Sequence, residues 1–247
     1  MAHEVTSPSY RRAYLLEEKL RQRPFYFRAK RLFDLFAATI LLVLLSPLML
    51  MVAVLIVLDS PGPAIFRQQR VGLKRRVEGG QTRWEIGTFE FLKFRTMKRD
   101  ADPQLHRAYI EAFIQNDEEA MAAVQGTQTE VRKIVNDTRV TRLGKFLRKS
   151  SLDELPQLWC VVRGDMSLVG PRPAIPYEVA MYKPWHHQRL EALPGVTGPW
   201  QVSARSSVDF DDMVSMDIEY VENQSFWLDI KILLLTPLAV IRSKGAV

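Results

Sequence analysis

From Leu35 to Leu58 the sequence carries no charged residue. That is about 24 residues of mostly Leu, Val, Ala, Ile, Met and Phe, long enough for a helix to cross the hydrocarbon core of a bilayer. The stretch lies too far into the chain and is too long for a secretory signal, and no small-residue cleavage site follows it. Two features argue against a simple span. Ser46-Pro47 falls near the middle, where a proline removes one helix hydrogen bond and kinks the helix. Both flanks are basic: Arg28, Lys30 and Arg31 precede the stretch, and Arg67, Arg70, Lys74, Arg75 and Arg76 follow it. The positive-inside rule places both flanks on the cytoplasmic face. A re-entrant helix over residues 30–60, kinked at Ser46 and Pro47 and returning to the face it entered from, satisfies both observations. The Ser46 hydroxyl can then bond a carbonyl that the kink frees. A kinked true span is the alternative.

The whole chain has 247 residues, 47% of them hydrophobic, which suits one domain with an appendage and a sizeable core. Its net charge of +6 points to a nucleic acid, an anionic membrane surface or a phosphorylated substrate. The apolar stretch selects the membrane, so no nucleic-acid partner is expected. A single cysteine, Cys160, excludes an intrachain disulfide and suits a reducing compartment. His3, His106, His186 and His187 show no zinc-ligand spacing and read as surface residues.

The expected fold class is α+β and predominantly helical. Residues 1–29 form a basic arm with a helical middle from Tyr14 to Leu20, ending in Phe25-Tyr26-Phe27, an aromatic cluster suited to a membrane interface. Residues 61–247 form the cytoplasmic domain. Ala64 to Val71 reads as a strand, Gly72 to Gln81 as a charged loop, and Trp84 to Phe94 as the returning arm of a small β-hairpin. Residues 99–135 read as a helical insert without a chemical signature, a lid or an interaction surface. Asp102-Pro103 starts one helix, with Leu105, Tyr109, Ala112 and Phe113 on one face. Asn116 to Glu119 starts another that ends near Gly126. Asp209 to Asp212 opens a further helix. The apolar segment from Phe226 to Ile241, interrupted by Pro237, is expected to lie on the membrane surface or to pack under the domain.

Chemistry concentrates between Ser150 and Pro173. Asp153 and Glu154 follow two serines and precede a short apolar helix that ends near Gly164. Ser150 with Asp153, or Ser151 with Glu154, has the spacing of a capping box, which would make the carboxylates structural. Their neighbours offer another reading. Arg139, Arg142, Lys145, Arg148 and Lys149 crowd the upstream side, and Arg163 and Arg172 lie downstream, the latter in a stiff Pro171-Arg172-Pro173 corner. Guanidinium groups bind phosphate oxygens in pairs, and carboxylates hold a divalent cation or attack phosphorus.

The stretch resembles the signature of the bacterial sugar transferases, the monotopic polyprenyl-phosphate phosphoglycosyl transferases. Further matching pieces, in the family's order, are Lys30-Arg31-Leu32-Phe33-Asp34, Phe66-Arg67-Gln68-Gln69-Arg70-Val71-Gly72, Lys93-Phe94-Arg95-Thr96-Met97 and Pro194-Gly195-Val196-Thr197-Gly198-Pro199-Trp200-Gln201-Val202. The likeness runs from about Lys30 to the C-terminus. It implies transfer of a sugar 1-phosphate from a UDP-sugar to polyprenyl phosphate, with release of UMP, on the cytoplasmic face of the bacterial inner membrane. That is the first membrane step of exopolysaccharide, O-antigen (lipopolysaccharide) or other glycan synthesis. It implies a helix broken at the Ser-Pro pair, Asp153 as nucleophile, and Mg²⁺ held by Asp153 and Glu154. Lys93, Arg95, Arg148 and Arg172 become candidates for phosphate support. Trp200, Gln201 and Arg205 are candidates to flank the nucleotide, with core packing equally open for Trp200. Gly195 and Gly198 would let backbone approach the ligand. A homodimer is left open. The sequence departs from the family pattern at Cys160, where Asn is frequent, at Thr138, where Pro is common, and at Ala204, where Gly is common. The competing readings are a membrane-anchored scaffold or regulator whose carboxylates only cap a helix, and a metal-dependent phosphatase.

Overall fold

The computed structural model describes residues 11–79, 81–99, 102–126, 134, 137–203 and 208–242. Its framework is a hairpin. β2 (Ile65–Glu78) and β3 (Gln81–Phe94) pair antiparallel along their whole length, from Ile65 opposite Phe94 to Glu78 opposite Gln81. The charged loop expected over 72–81 is therefore mostly strand. The chain reverses only between Glu78 and Gln81, with Gly79 at φ 58°, a value that suits a two-residue hairpin turn. Val71 and Leu73 keep the alternation going into the core, and Gly72 between them with Lys74, Arg75 and Arg76 after them hides that period.

A third strand, β1 (Arg11–Arg12), pairs with the other edge of β3, Arg11 opposite Ile86, giving the order β1-β3-β2. α1 (Tyr14–Gln22) follows, then α2 (Pro24–Asp59), the apolar helix of 36 residues. The described part of the N-terminal arm, from Arg11 on, thus packs on the domain, and α2 begins inside the stretch assigned to that arm. Ala13 and Leu16 share a core with Val71, Leu73 and Ile86. This order decides the topology. The chain enters α2 from the β1 side of the sheet and leaves it into β2. Both flanks of the helix belong to one sheet, so both lie on one side of any membrane the helix enters. This is the monotopic arrangement.

The helix is continuous through Pro47, where the resemblance implied a break. Pro47 cannot donate to the Val43 carbonyl four residues back, and the Ser46 hydroxyl donates to that carbonyl instead, at 2.8 Å. One face of α2 packs on the domain through Ala38, Val52 and Ile56, while Leu35, Phe36, Leu44, Leu50, Leu55 and Leu58 remain exposed. So much outward apolar surface marks association with a membrane.

Polar contacts fix the inner face of α2. Lys30 Nζ lies 2.9 Å from Asp229 Oδ2 and donates to the Val169 carbonyl, with both side chains of the pair nearly buried. The Tyr26 and Tyr220 hydroxyls donate to the same carboxylate. Arg31 donates to the carbonyls of Val161 and Val162, at the C-terminal end of a later helix, where a cation is favoured. Asp34 accepts from the Ser167 hydroxyl and the Leu168 amide. The Lys30 to Asp34 motif is a set of clamps between the apolar helix and the domain.

The insert forms α3 (Gln104–Ile114) and α4 (Glu118–Gln125). Pro103, and not Asp102, takes the N-cap position of the first, with the Asp102 carboxylate accepting from the Gln104 amide one residue on, and Asp117 caps the second through the Ala120 amide. After them come α5 (Arg142–Ser150), a 3₁₀ turn (Leu152–Glu154), α6 (Gln157–Arg163) and β4 (Ser167–Val169). α7 (Pro176–Val179), a second 3₁₀ segment (Pro184–Leu190) and β5 (Gly195–Thr197) follow, then α8 (Pro199–Ser203), α9 (Phe210–Asn223) and α10 (Phe226–Arg242). β4 and β5 pair in parallel. A Cβ on Gly195 or Gly198 would overlap backbone atoms of Gly170, so these glycines admit backbone to backbone; the ligand approach expected of them is not what fills the space. α10 continues through Pro237 and divides as α2 does: Ile232 and Ala239 face inward, and Trp227, Leu234 and Ile241 face out.

Lys30→Met keeps the apolar length of the side chain and leaves Asp229 without its cation. Unfolding in detergent micelles should show a loss of about 3–5 kcal/mol. Adding Asp229→Asn removes the stranded charge and should recover a good part of it. A Lys30→Met protein as stable as wild type would contradict the clamp.

Candidate active site

The Asp153 turn is shaped by its supports. Thr141 caps α5 by accepting from the Gly144 amide at 2.9 Å. Gly144 sits so close to the Thr96 carbonyl that a Cβ there would overlap it. At the other end of α5, Ser151 takes a left-handed conformation, φ 56°, and turns the chain sharply into the 3₁₀ turn. Leu152 and Leu155 then pack against the cluster that holds Val52 and Ile56 of α2. Asp153 lies between two apolar anchors that rest on the membrane helix.

The capping box does not form. Ser150 Oγ donates to the Phe146 carbonyl, Ser151 makes no capping bond, and α6 begins only at Gln157, after Pro156. The carboxylates are arranged otherwise. Asp153 is 8% exposed and makes no hydrogen bond among the described residues. Glu154 Oε1 accepts from Arg172 Nη1 at 3.0 Å. Burial, and then the neighbouring Glu154 charge, raise the Asp153 carboxyl above the ordinary carboxylate range, while Lys93, Arg148 and Arg172 pull it back.

The cations come from four elements. Lys93 on β3 stands opposite Phe66 on β2 and lies 5.3 Å over its ring. Burial, and then Arg148, lower its ammonium to about 8. Arg148 on α5 donates through Nε to Thr96 Oγ1 at 3.0 Å, and the rest of its fork makes no hydrogen bond among the described residues. Arg172 is set by its corner, where the Pro171 carbonyl accepts from the Gly195 amide at 2.9 Å. Arg70, on the same face of the hairpin as Lys93, donates to the Pro173 carbonyl and lies 5.1 Å over the Phe91 ring.

Arg95 stands apart from this group. Its guanidinium donates to the carbonyls of Ser60, Pro61, Gly62 and Ile56, so it closes the C-terminal end of α2 and is not placed to serve a phosphate. Trp200 is buried and lines a cavity of about 140 Å³ with Arg70, Arg172, Glu178, Arg189 and Phe210. Gln201 donates to the Val196 carbonyl at 3.2 Å. Arg205, and Ala204 before it, lie outside the described residues. Cys160 is buried in the core beside Val161 and Met166.

Two participants were not foreseen as such. Arg70 lay in a matching motif but was assigned no role. His106, expected on the surface, faces the cations from α3: its Nδ1 is 2.6 Å from the Tyr177 hydroxyl, and burial, then Arg70 and Lys93, lower its pKa to about 4. Its neutral ring is a hydrogen-bonding wall rather than another cation. The signal was its place on the face of α3 with Ile110 and Phe113, at helical spacing. His186 is also buried, paired with Asp211 at 3.0 Å.

A buried carboxylate with no hydrogen-bond partner among the described residues, drawn on by Lys93, Arg148 and Arg172 and set on a turn backed by the membrane helix, is the geometry of anionic-substrate chemistry. The family model for the bacterial sugar transferases matches residues 25–243. The chain belongs to that family. It is 38% identical over 233 residues to the exopolysaccharide production protein ExoY of Rhizobium meliloti, covering 94% of each chain. It is 40% identical over 217 residues to the undecaprenyl-phosphate galactose phosphotransferase of Salmonella typhimurium, covering 88% of this chain and 41% of that protein. The UDP-glucose:undecaprenyl-phosphate glucose-1-phosphate transferase of Caulobacter vibrioides is 37% identical over 226 residues, covering 88% and 71%. The chain thus spans nearly all of the first relative and less than half of the second. Membership makes the protein a sugar transferase, and it sets aside the scaffold reading.

If the serines capped a helix, Ser151→Ala would cost roughly 0.5–2 kcal/mol. Because no such bond forms, a thermal melt should place the variant within about 0.5 kcal/mol of wild type. A larger loss would restore the capping role.

Proposed function

We propose that the protein transfers a sugar 1-phosphate from a UDP-sugar to polyprenyl phosphate, of which undecaprenyl phosphate is the form named for its relatives, and releases UMP. The reaction begins glycan assembly on the cytoplasmic face of the inner membrane. The observation that carries this reading is the Asp153 carboxylate, buried and without a hydrogen-bond partner among the described residues. Holding an anion that way costs free energy, which the nearby cations only partly offset. A poorly solvated oxyanion aimed into a basic site is a strong nucleophile toward phosphorus.

In the first half-reaction a carboxylate oxygen of Asp153 attacks the β-phosphorus of the UDP-sugar. The bond from that phosphorus to the bridging oxygen breaks, and UMP leaves with the bridging oxygen. Asp153 then carries the sugar phosphate as an acyl phosphate. In the second, an oxygen of the lipid phosphate attacks the same phosphorus, the bond to Asp153 breaks, and the carboxylate is regenerated. Lys93, Arg148 and Arg172 take up charge on the transferring phosphoryl oxygens. Arg172 also orients Glu154.

The adjacent carboxylates fit Mg²⁺, which keeps much of its shell as water and substrate phosphate oxygens and is held by one or two carboxylates. No cluster of three metal-ligating side chains occurs among the described residues, so Asp153 and Glu154 would be its protein ligands. Its chemistry when bound is to neutralise charge on the diphosphate.

UDP-sugar with Mg²⁺ and no lipid should release about one UMP per active site and stop, leaving a mass increase on the peptide that holds Asp153. Asp153→Asn should abolish burst and adduct. Arg148→Ala should lose roughly 2–4 kcal/mol of transition-state stabilisation, read from kcat/KM. Release of inorganic phosphate in place of UMP would favour a phosphatase. Direct attack by the lipid predicts no UMP before lipid is added, and turnover by Asp153→Asn would rule out the covalent step.

A further inference from the structure

A larger cavity, of about 530 Å³, lies outside the Asp153 turn. Among the described residues it is lined by Ser60, Pro61, Lys98, Arg99, Asp102, Thr138 and Arg139. Its position is set by the end of α2. Val57 and Leu58, exposed at the last turn of that helix, precede Ser60 and Pro61 in the cavity wall. The wall is firm, because Arg95 ties the carbonyls of Ser60, Pro61 and Gly62 together. An opening beside the last apolar turn of a membrane helix is at headgroup depth.

The other wall joins the cavity to the phosphate cluster. Met97 bridges to Val140, the Lys98 amide donates to the Arg139 carbonyl, and the Thr141 amide donates to the Thr96 carbonyl. Thr96 is also the residue that holds Arg148. One short ladder therefore carries the cavity at one end and the cations around Asp153 at the other. Arg139 is gripped by Asp137, with contacts of 2.7 and 2.8 Å, and donates to the Asp102 carbonyl. Lys98 and Arg99 are exposed, and no carboxylate among the described residues is paired with either. Two exposed cations at headgroup depth, with no carboxylate paired to them among the described residues and with apolar surface beside them, suit a phosphate carried on a hydrocarbon chain.

We infer that this cavity is the docking site for the phosphate of the lipid acceptor, which slides from it along the Thr96–Lys98 ladder to Asp153. The inference rests on the function proposed above and adds a place to it. The same chemistry would hold the phosphate of a bulk anionic phospholipid, so the test separates the two.

Undecaprenyl phosphate is titrated against the protein in phosphatidylcholine nanodiscs, with the UDP-sugar turned over best in a panel. For Lys98→Gln/Arg99→Gln, the KM for the lipid should rise roughly tenfold or more. The rate and amplitude of UMP release from UDP-sugar alone should match wild type, which also shows that the variant is folded and its donor site intact. An unchanged acceptor KM overturns the inference. So does an unchanged KM accompanied by weaker retention on phosphatidylglycerol vesicles, which assigns the cavity to bulk lipid. A wild-type protein without a burst contradicts the covalent mechanism, yet the acceptor KM of the variant is still readable in steady state, so the two failures are distinct.

Discussion

The apolar helix starts and finishes on one sheet, and the rest of the structure follows from that. β1 and β2 occupy opposite edges of β3, and α2 lies between them in sequence. A straight helix of 36 residues is about 54 Å long. Lipid offers such a helix no preferred rotation, because hydrocarbon is as apolar as its own side chains. Polar contacts supply the preference. Lys30 on Asp229, Arg31 on the end of α6, Asp34 on Ser167 and Arg95 on the last carbonyls of α2 are each specific to one register. Sliding the helix by a turn would leave several of them buried and unpaired, at a cost of several kcal/mol.

The same clamp positions the chemistry. Leu152 and Leu155 enter the cluster that holds Val52 and Ile56, so the Asp153 turn takes its height from the membrane helix. Electrostatics there is a contest between burial and neighbours. On Asp153, burial and Glu154 outweigh three cations and the carboxyl is raised; on Lys93, burial and Arg148 outweigh Asp153 and the ammonium is lowered. Both shifts bring the charged and neutral forms of each group closer in energy.

The legible parts of the fold were those with strong local signals. The apolar run, the Ser46 hydroxyl's bond beside Pro47, the start of α4 near Asp117, and the ends of α4 and α6 at Gly126 and Gly164 all follow from short-range chemistry. The far half of the hairpin was hidden because cations interrupt its apolar period, and the three-residue strands β4 and β5 are too short to show one. Around the site, Asp153, Glu154, Arg148 and Arg172 announced themselves by clustering. Arg95 shares their motif and charge, yet its direction depends on where a helix more than thirty residues away ends. His106 was invisible for the same reason: only the packing of α3 against α7 brings it to Tyr177.

The central claim is that both flanks of α2 lie on one side of the membrane. Single cysteines at Glu18 and Lys74, both exposed, in a Cys160→Ser background, would be probed with a membrane-impermeant maleimide. The two sites should resist together in intact cells and react together in inverted membrane vesicles. Reaction of one site without the other, in either preparation, would show a true span and contradict the account.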